Sequence, residues 1–232
     1  MSIYLITGAS QGLGRSLSLA LAKKSNQLIL LDKDLKALNY LYDEITSSSE
    51  FKAEPALYPM DLLGANIDHY QTLTTTLEAE YGHLDGVFLN AATLPAFTPI
   101  ELFDYTQWYE VLHTNLNANF HLIQQTLPLL KQANKSLMVA VLDQNIEDHP
   151  AYYGAYGVAK AGLEQLMKTC AKENPGTPVR FYNAKLEGFQ SNTRSRQFPS
   201  ENPAALPTAD TVADQLLNVV LDDLTSELIE KL

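Results

Sequence analysis

The chain is poor in several things at once. It holds one cysteine, Cys170, among 232 residues. A disulfide framework is thereby excluded, and Cys170 is expected as a small buried group on a helix. No apolar run approaches the roughly 18 uninterrupted residues that a membrane span requires. The first apolar segment begins after only Met1 and Ser2, with no basic leader, and Gly8 cuts it far short of a signal sequence. Basic residues are few: 16 Lys and Arg stand against 27 Asp and Glu, for a net charge of −11. Nucleic acid and anionic membrane surfaces are therefore excluded as expected partners, and a cytoplasmic, reducing setting is predicted. The five histidines, His69, His83, His113, His121 and His149, have no ligand spacing with acidic or cysteine partners, so no metal site is expected.

What is present is organised around the beginning of the chain. Ile3-Tyr4-Leu5-Ile6-Thr7 reads as a short buried strand. Gly8, Gly12 and Gly14 follow, in positions where a strand or helix interior would lose stability. Leu13, Leu17, Ala20 and Leu21 then recur at helical spacing. Strand, glycine turn and helix together aim free backbone N–H groups at an anion, of which a dinucleotide pyrophosphate is the usual example. Taken alone, the glycines are explained equally well by a flexible helix-capping loop.

Further apolar segments at 27–31, 56–60, 84–89, 137–142 and 179–183 read as strands, with helical patterns between them. The run 137–142 is apolar throughout, as in a central parallel strand covered on both faces. Asp34 is placed to cap the helix after the second strand. A helix is predicted over 67–81, a long one over 105–130 bent by Pro128, and another over 152–172. Residues 198–207, with three prolines, read as a loop, and 211–232 as one or two acidic helices. Six strands alternating with helices predict an α/β fold, a doubly wound parallel sheet in three layers, as a single domain over 1–232.

Tyr156 and Lys160 stand four residues apart and share one helix face. An ammonium beside a phenol favours the phenolate and draws its pKa toward neutrality, giving an acid or base usable at physiological pH. Tyr152 and Tyr153 have no lysine at that spacing. Tyr156-Gly157-Val158-Ala159-Lys160, the Thr7-Gly8…Gly12-Leu13-Gly14 loop, Asp61-Leu62, Asn90-Ala91-Ala92 and Thr114-Asn115-Leu116 occur in this order. The set resembles the short-chain dehydrogenase/reductase family over roughly residues 3–190.

That resemblance implies a Rossmann fold binding NAD(P) and hydride transfer to or from a small carbonyl or alcohol. Tyr156 would be the general acid/base. Lys160 would lower its pKa and hold the nicotinamide ribose, and Asn115 would hold a water in a proton relay. Gly8, Ser10, Gln11, Gly12, Leu13 and Gly14 would cradle the cofactor, Asp61 and Leu62 would face the adenine, and Asn90 and Ala91 would line the cleft. At the end of the second strand Asp32 can accept from both ribose hydroxyls and repel a 2′-phosphate, which favours NAD over NADP. Lys33 and Arg15 argue the other way.

The chain also departs from the family pattern. Asp143 stands thirteen positions before Tyr156, where the family has a substrate-binding serine. If ionised, its charge would raise the Tyr156 pKa and oppose Lys160. Leu186-Glu187 replaces the family's Pro-Gly, and Phe189 or Ser191 stands where a hydroxyl would hold the carboxamide. The seventh strand and its terminal glycines are not expected. A homodimer through the helices 105–130 and 152–172 is predicted. The alternative reading is a catalytically weak dinucleotide-binding protein that acts as a sensor or partner subunit.

Overall fold

The apolar runs pair as their alternation predicts. The computed structural model describes every residue except 25, 52, 53 and 149, so His149 lies outside the described residues. Six strands run parallel: β1 (Ile3–Thr7), β2 (Gln27–Asp32), β3 (Ala56–Pro59), β4 (Gly86–Leu89), β5 (Ser136–Asp143) and β6 (Val179–Leu186). With β7 (Ile229–Lys231) at one edge, the sheet order is β3-β2-β1-β4-β5-β6-β7, so the connections leaving β1 and β4 diverge and open a crevice at their carboxyl ends.

Helices cover both faces. On one side α3 (Ile67–Tyr81), α5 (Ala118–Gln132) and α6 (Gly154–Glu173) bury Leu73, Leu77, Leu122, Leu163 and Met167. On the other, α1 (Gly12–Lys23), α2 (Leu35–Ser47) and α8 (Ala209–Leu221) bury Leu17, Leu21, Leu38, Leu41 and Leu216. The helix predicted over 67–81 has those bounds. Asn66 caps its start, and Gly82, at φ +73°, ends it in the left-handed conformation that glycine adopts freely. Asp34 accepts from the Ala37 amide and starts α2, as expected.

Two expectations about elements are corrected. The long helix expected over 105–130 is divided into α4 (Tyr105–Leu112), a π-helical turn at His113–Asn117, and α5. Pro128 is accommodated inside α5. The acidic end is not all helix, and the expectation that the seventh strand is missing is overturned: after α8 the chain turns back, and β7 joins the edge of β6 antiparallel, completing a seven-stranded sheet. Three residues, two of them charged, carry no strand signal of their own; the unpaired edge of β6 supplies the partner. Asp223 ties the return together. Its Oδ1 accepts from the Tyr182 hydroxyl at 2.8 Å and lies 2.9 Å from Arg180 and 2.8 Å from Lys231.

These partners, the Lys231 ammonium foremost, hold the Asp223 carboxyl far below the ordinary carboxylate range. A carboxylate with a depressed native pKa stabilises the fold above its unfolded pKa, about 3.9, and loses that contribution as the pH falls below it. Asp223→Asn is expected to lower Tm by roughly 2–4 °C at neutral pH and to speed amide exchange in β7. The Tm difference from the native chain should shrink toward zero in strong acid.

Candidate functional site

At the end of β1 the backbone turns sharply into α1. Gly8 (φ +64°) and Gly12 (φ +52°) adopt conformations that side chains disfavour. A Cβ on Gly14 would stand 2.0 Å from the Gly8 carbonyl oxygen, so α1 can start this close to β1 only without one. A Cβ on Gly12 would meet nothing within 4 Å, which leaves that side of the loop open. The Gln11 side chain does not cap α1, and no acidic residue lies in its first turn. The first N–H groups and the positive helix end are left for an anion. By these features the loop fits a pyrophosphate.

The loop is braced from two sides. Thr7 Oγ1 accepts from the amides of Asn90 and Ala91, each at 3.0 Å, and donates to the Phe88 carbonyl at 3.2 Å. Asn90 Nδ2 donates to the Thr7 and Gly8 carbonyls at 2.9 and 3.2 Å. This ties the ends of β1 and β4 together. On the β2 side, Asp32 Oδ2 accepts from the Ser10 amide (3.1 Å) and hydroxyl (2.7 Å), while Oδ1 accepts from the Asp34 amide (3.1 Å). The carboxylate that was expected to receive ribose hydroxyls is thus engaged by the glycine loop. Lys33 beside it is exposed at the cleft. Arg15, by contrast, is paired with Glu44 at 2.6 Å.

Beyond β4 and β5 lies the reactive end of the same cleft, whose volume is about 720 Å³. The i, i+4 spacing on α6 puts Tyr156 and Lys160 on one buried face. Lys160 is 4% exposed, donates to the Val141 carbonyl at 2.6 Å, and stands 5.8 Å from the centre of the Tyr156 ring. Burial lowers its pKa to about 8, so at neutral pH it remains mostly ammonium. The Tyr156 hydroxyl faces Asp143 Oδ2 at 3.4 Å, and Asp143 Oδ1 is held by the Asn145 amide (2.9 Å) and Nδ2 (2.8 Å). The predicted lowering of the Tyr156 pKa is corrected: it is raised well above 10, by burial first and the Asp143 charge second. Desolvation of a phenolate and a neighbouring anion outweigh an ammonium that is turned to a backbone carbonyl.

The cleft gathers Gly8, Gln11, Gly12 and Leu13 with Asp32, Lys33, Asp61 and Leu62 on the dinucleotide side. Asn90, Ala91, Asp143, Tyr156 and Lys160 line it further along. Ser10, Gly14 and Asn115 do not line it. Ser10 acts through Asp32 and Gly14 through its close approach to Gly8. Asn115, on the π turn, exchanges two 2.7 Å hydrogen bonds with the backbone of Thr93 and so anchors the segment after β4. Among the described residues no group of three His, Cys, Asp or Glu is arranged to hold a metal ion.

One wall was not legible in the sequence. A short helix, α7 (Asn192–Gln197), closes the reactive end, and Gln197 Nε2 donates to the Leu94 and Pro95 carbonyls at 3.2 and 2.8 Å. Ser191, considered as a carboxamide ligand, caps α7 by accepting from the Arg194 amide. Arg194 pairs with both carboxylate oxygens of Glu201 (2.7 and 2.8 Å) and stacks 3.8 Å from the centre of Phe198. Tyr153 stacks on Phe97 at 4.9 Å. The three prolines after Phe198 signalled an irregular segment here, but the partners of α7 are some hundred residues away in the chain.

Thr7→Val keeps the shape of a buried side chain but leaves the Asn90 and Ala91 amides without an acceptor. It is expected to cost about 1–3 kcal/mol in urea unfolding, with Thr7→Ser close to the native chain.

Residues 2–202 match the family model for short chain dehydrogenase. The oxidoreductase YciK of Escherichia coli is 29% identical over 221 residues, covering 95% of this chain and 86% of the relative. A solved short chain dehydrogenase from Pseudomonas syringae superposes with a TM-score of 0.89 at 30% identity, covering 93% of this chain and 87% of the other. Another, from Escherichia coli and complexed with NADPH, gives 0.89 at 30% identity, with 93% and 89% covered. No helix among the described residues is long and apolar enough to cross a membrane. Glycine loop, braced strand ends, Tyr156–Lys160 face and near-complete superposition agree: the chain belongs to the short-chain dehydrogenase family of oxidoreductases.

Proposed function

We propose that this protein is a nicotinamide-dependent reductase of small molecules in which Tyr156 delivers the proton to the heteroatom of the substrate's double bond. The observation that carries the reading is one continuous cleft with an uncapped helix N-terminus at one end and the buried Tyr156–Lys160 face at the other. When bound, the dihydronicotinamide supplies a hydride. The protein's own residues do the rest: the Gly8–Gly14 loop binds the pyrophosphate, Lys160 binds and orients the ribose, and α7 with Phe198 excludes water. Burial keeps the phenol protonated, the state from which a proton can be delivered in the reductive direction.

For the cofactor, the reading departs from the NAD preference expected of Asp32. Hydrogen bonds to Ser10 and Asp34 occupy that carboxylate, and Lys33 is the exposed cation beside it. Both features support the 2′-phosphate form, NADP(H). The NADPH complex of the Escherichia coli structure is consistent with this. The homodimer is proposed through α4, α5 and α6, on which Tyr105, Tyr109, Phe120 and Val158 are exposed.

Calorimetric titration with NADPH and NADH should show tighter binding of NADPH. Lys33→Ala should weaken NADPH about tenfold while leaving NADH unchanged, the effect of losing one charge-assisted contact. Equal affinities in the native chain would remove the case for the 2′-phosphate. Tyr156→Phe is expected to lower turnover about 10²–10⁴-fold with dinucleotide binding retained. Turnover unchanged by that substitution would favour the sensor reading over the enzyme.

A further inference from the structure

At the reactive end of the cleft, an anion occupies ground where reduction of a carbonyl would generate another. Hydride addition to C=O places a negative charge on oxygen, next to the Tyr156 hydroxyl. Asp143 Oδ2 stands 3.4 Å from that hydroxyl. The carboxylate is built into place: Oδ1 accepts twice from Asn145, and Asp143 ends β5 in register with Leu186 of β6. Among the described residues no cation forms a salt bridge with it, although Lys160 and Arg194 lie near enough to feel its charge. Lys160 donates to the Val141 carbonyl, and Arg194 is committed in bidentate fashion to Glu201. A developing oxyanion here meets repulsion; a cation meets a counter-ion.

The neighbouring surface has the same preference. The Tyr153 ring lies 6.0 Å from the Tyr156 ring, and its stack on Phe97 presents aromatic surface to the cleft. Aromatic faces attract organic cations. The chain as a whole carries a net charge of −11, which draws cations toward it.

We infer that the group reduced at this site is a carbon–nitrogen double bond, bound as the neutral imine, protonated there by Tyr156 and held as its iminium cation against Asp143, and that the substrate is a small cyclic imine. This rests on the reductase reading above and names its substrate class. Tyr156 passes its hydroxyl proton to the imine nitrogen and is reprotonated from solvent. Asp143 Oδ2 holds the resulting N–H⁺. The imine carbon receives a hydride, with its two electrons, from the dihydronicotinamide, and the π pair of the C=N bond becomes the nitrogen lone pair. One imine, one NADPH and one proton give one amine and one NADP⁺. Asp143 is thus a catalytic residue that contacts the substrate, and its carboxylate selects nitrogen over oxygen.

The probes are 3,4-dihydroisoquinoline and 1-tetralone, two bicyclic molecules of similar shape that differ in C=N against C=O. With NADPH, the native protein should reduce the imine at least about tenfold faster than the ketone, and Asp143→Ser should move that ratio toward the ketone by a similar factor. Independently of turnover, calorimetry on the NADP⁺ complex should show protonated tetrahydroisoquinoline binding at least about tenfold more weakly to Asp143→Asn than to the native protein. NADPH affinity, measured for every variant, controls for folding. Preference for the ketone, reduction of neither probe by a protein that binds NADPH, or amine binding indifferent to Asp143→Asn overturns the assignment to C=N and leaves the reductase reading standing. Failure to bind either dinucleotide overturns both.

Discussion

A methyl group on Gly14 would stand 2.0 Å from the Gly8 carbonyl oxygen, so α1 can leave β1 at its observed angle only because Gly14 is bare, while a methyl on Gly8 would stand 2.9 Å from the Ala91 Cα at the end of β4. That approach sets where the first turn of α1 points. It also brings the Thr7 hydroxyl and the Asn90 amide within reach of each other, locking the ends of β1 and β4. The crevice opens between those two strands, because the chain leaves them in opposite directions. Loop, crevice and cleft are therefore one construction.

The electrostatics of the cleft run against the character of the whole chain. On the proposed reading, an acidic protein would hold an anionic dinucleotide by local means: bare backbone amides, a helix dipole and one exposed lysine. Carboxylates near the loop are either bonded away, as Asp32 is by Ser10 and Asp34, or set at the cleft margin, as Asp61 is. At the other end Asp143 lines the cleft, held by Asn145 and facing the Tyr156 hydroxyl. A family scaffold thus carries an uncapped helix N-terminus at one end of the cleft and a carboxyl group at the other. The position that departs from the family's serine is the one that faces the Tyr156 hydroxyl.

Tyr156 shows how position overrides pairing. The i, i+4 lysine is present, yet the phenol is harder to ionise than in water, since burial penalises the phenolate and Asp143 adds to that penalty. Lys160 is itself desolvated and directed to a backbone carbonyl. The environment keeps the phenol protonated, the form from which the proposed reduction would start.

Much of this was legible in the amino-acid order, since strand alternation, the glycine spacing, the 67–81 helix with Gly82 at its end and the Tyr156–Lys160 face are local patterns that act through local dihedral preferences. β7 was not, because three residues pair only when the edge of β6 is already in place. Nor was the π turn at His113–Asn117, where Asn115 answers to Thr93 rather than to its own helix. The engagement of Asp32, the direction of the Tyr156 shift and the α7 wall likewise depend on groups far apart in the chain. The sequence by itself determined the fold class, the dinucleotide loop and the candidate acid. Only the tertiary structure decided which of their charges are free, because hydrogen-bond partners and desolvation are set by distances that no residue spacing encodes.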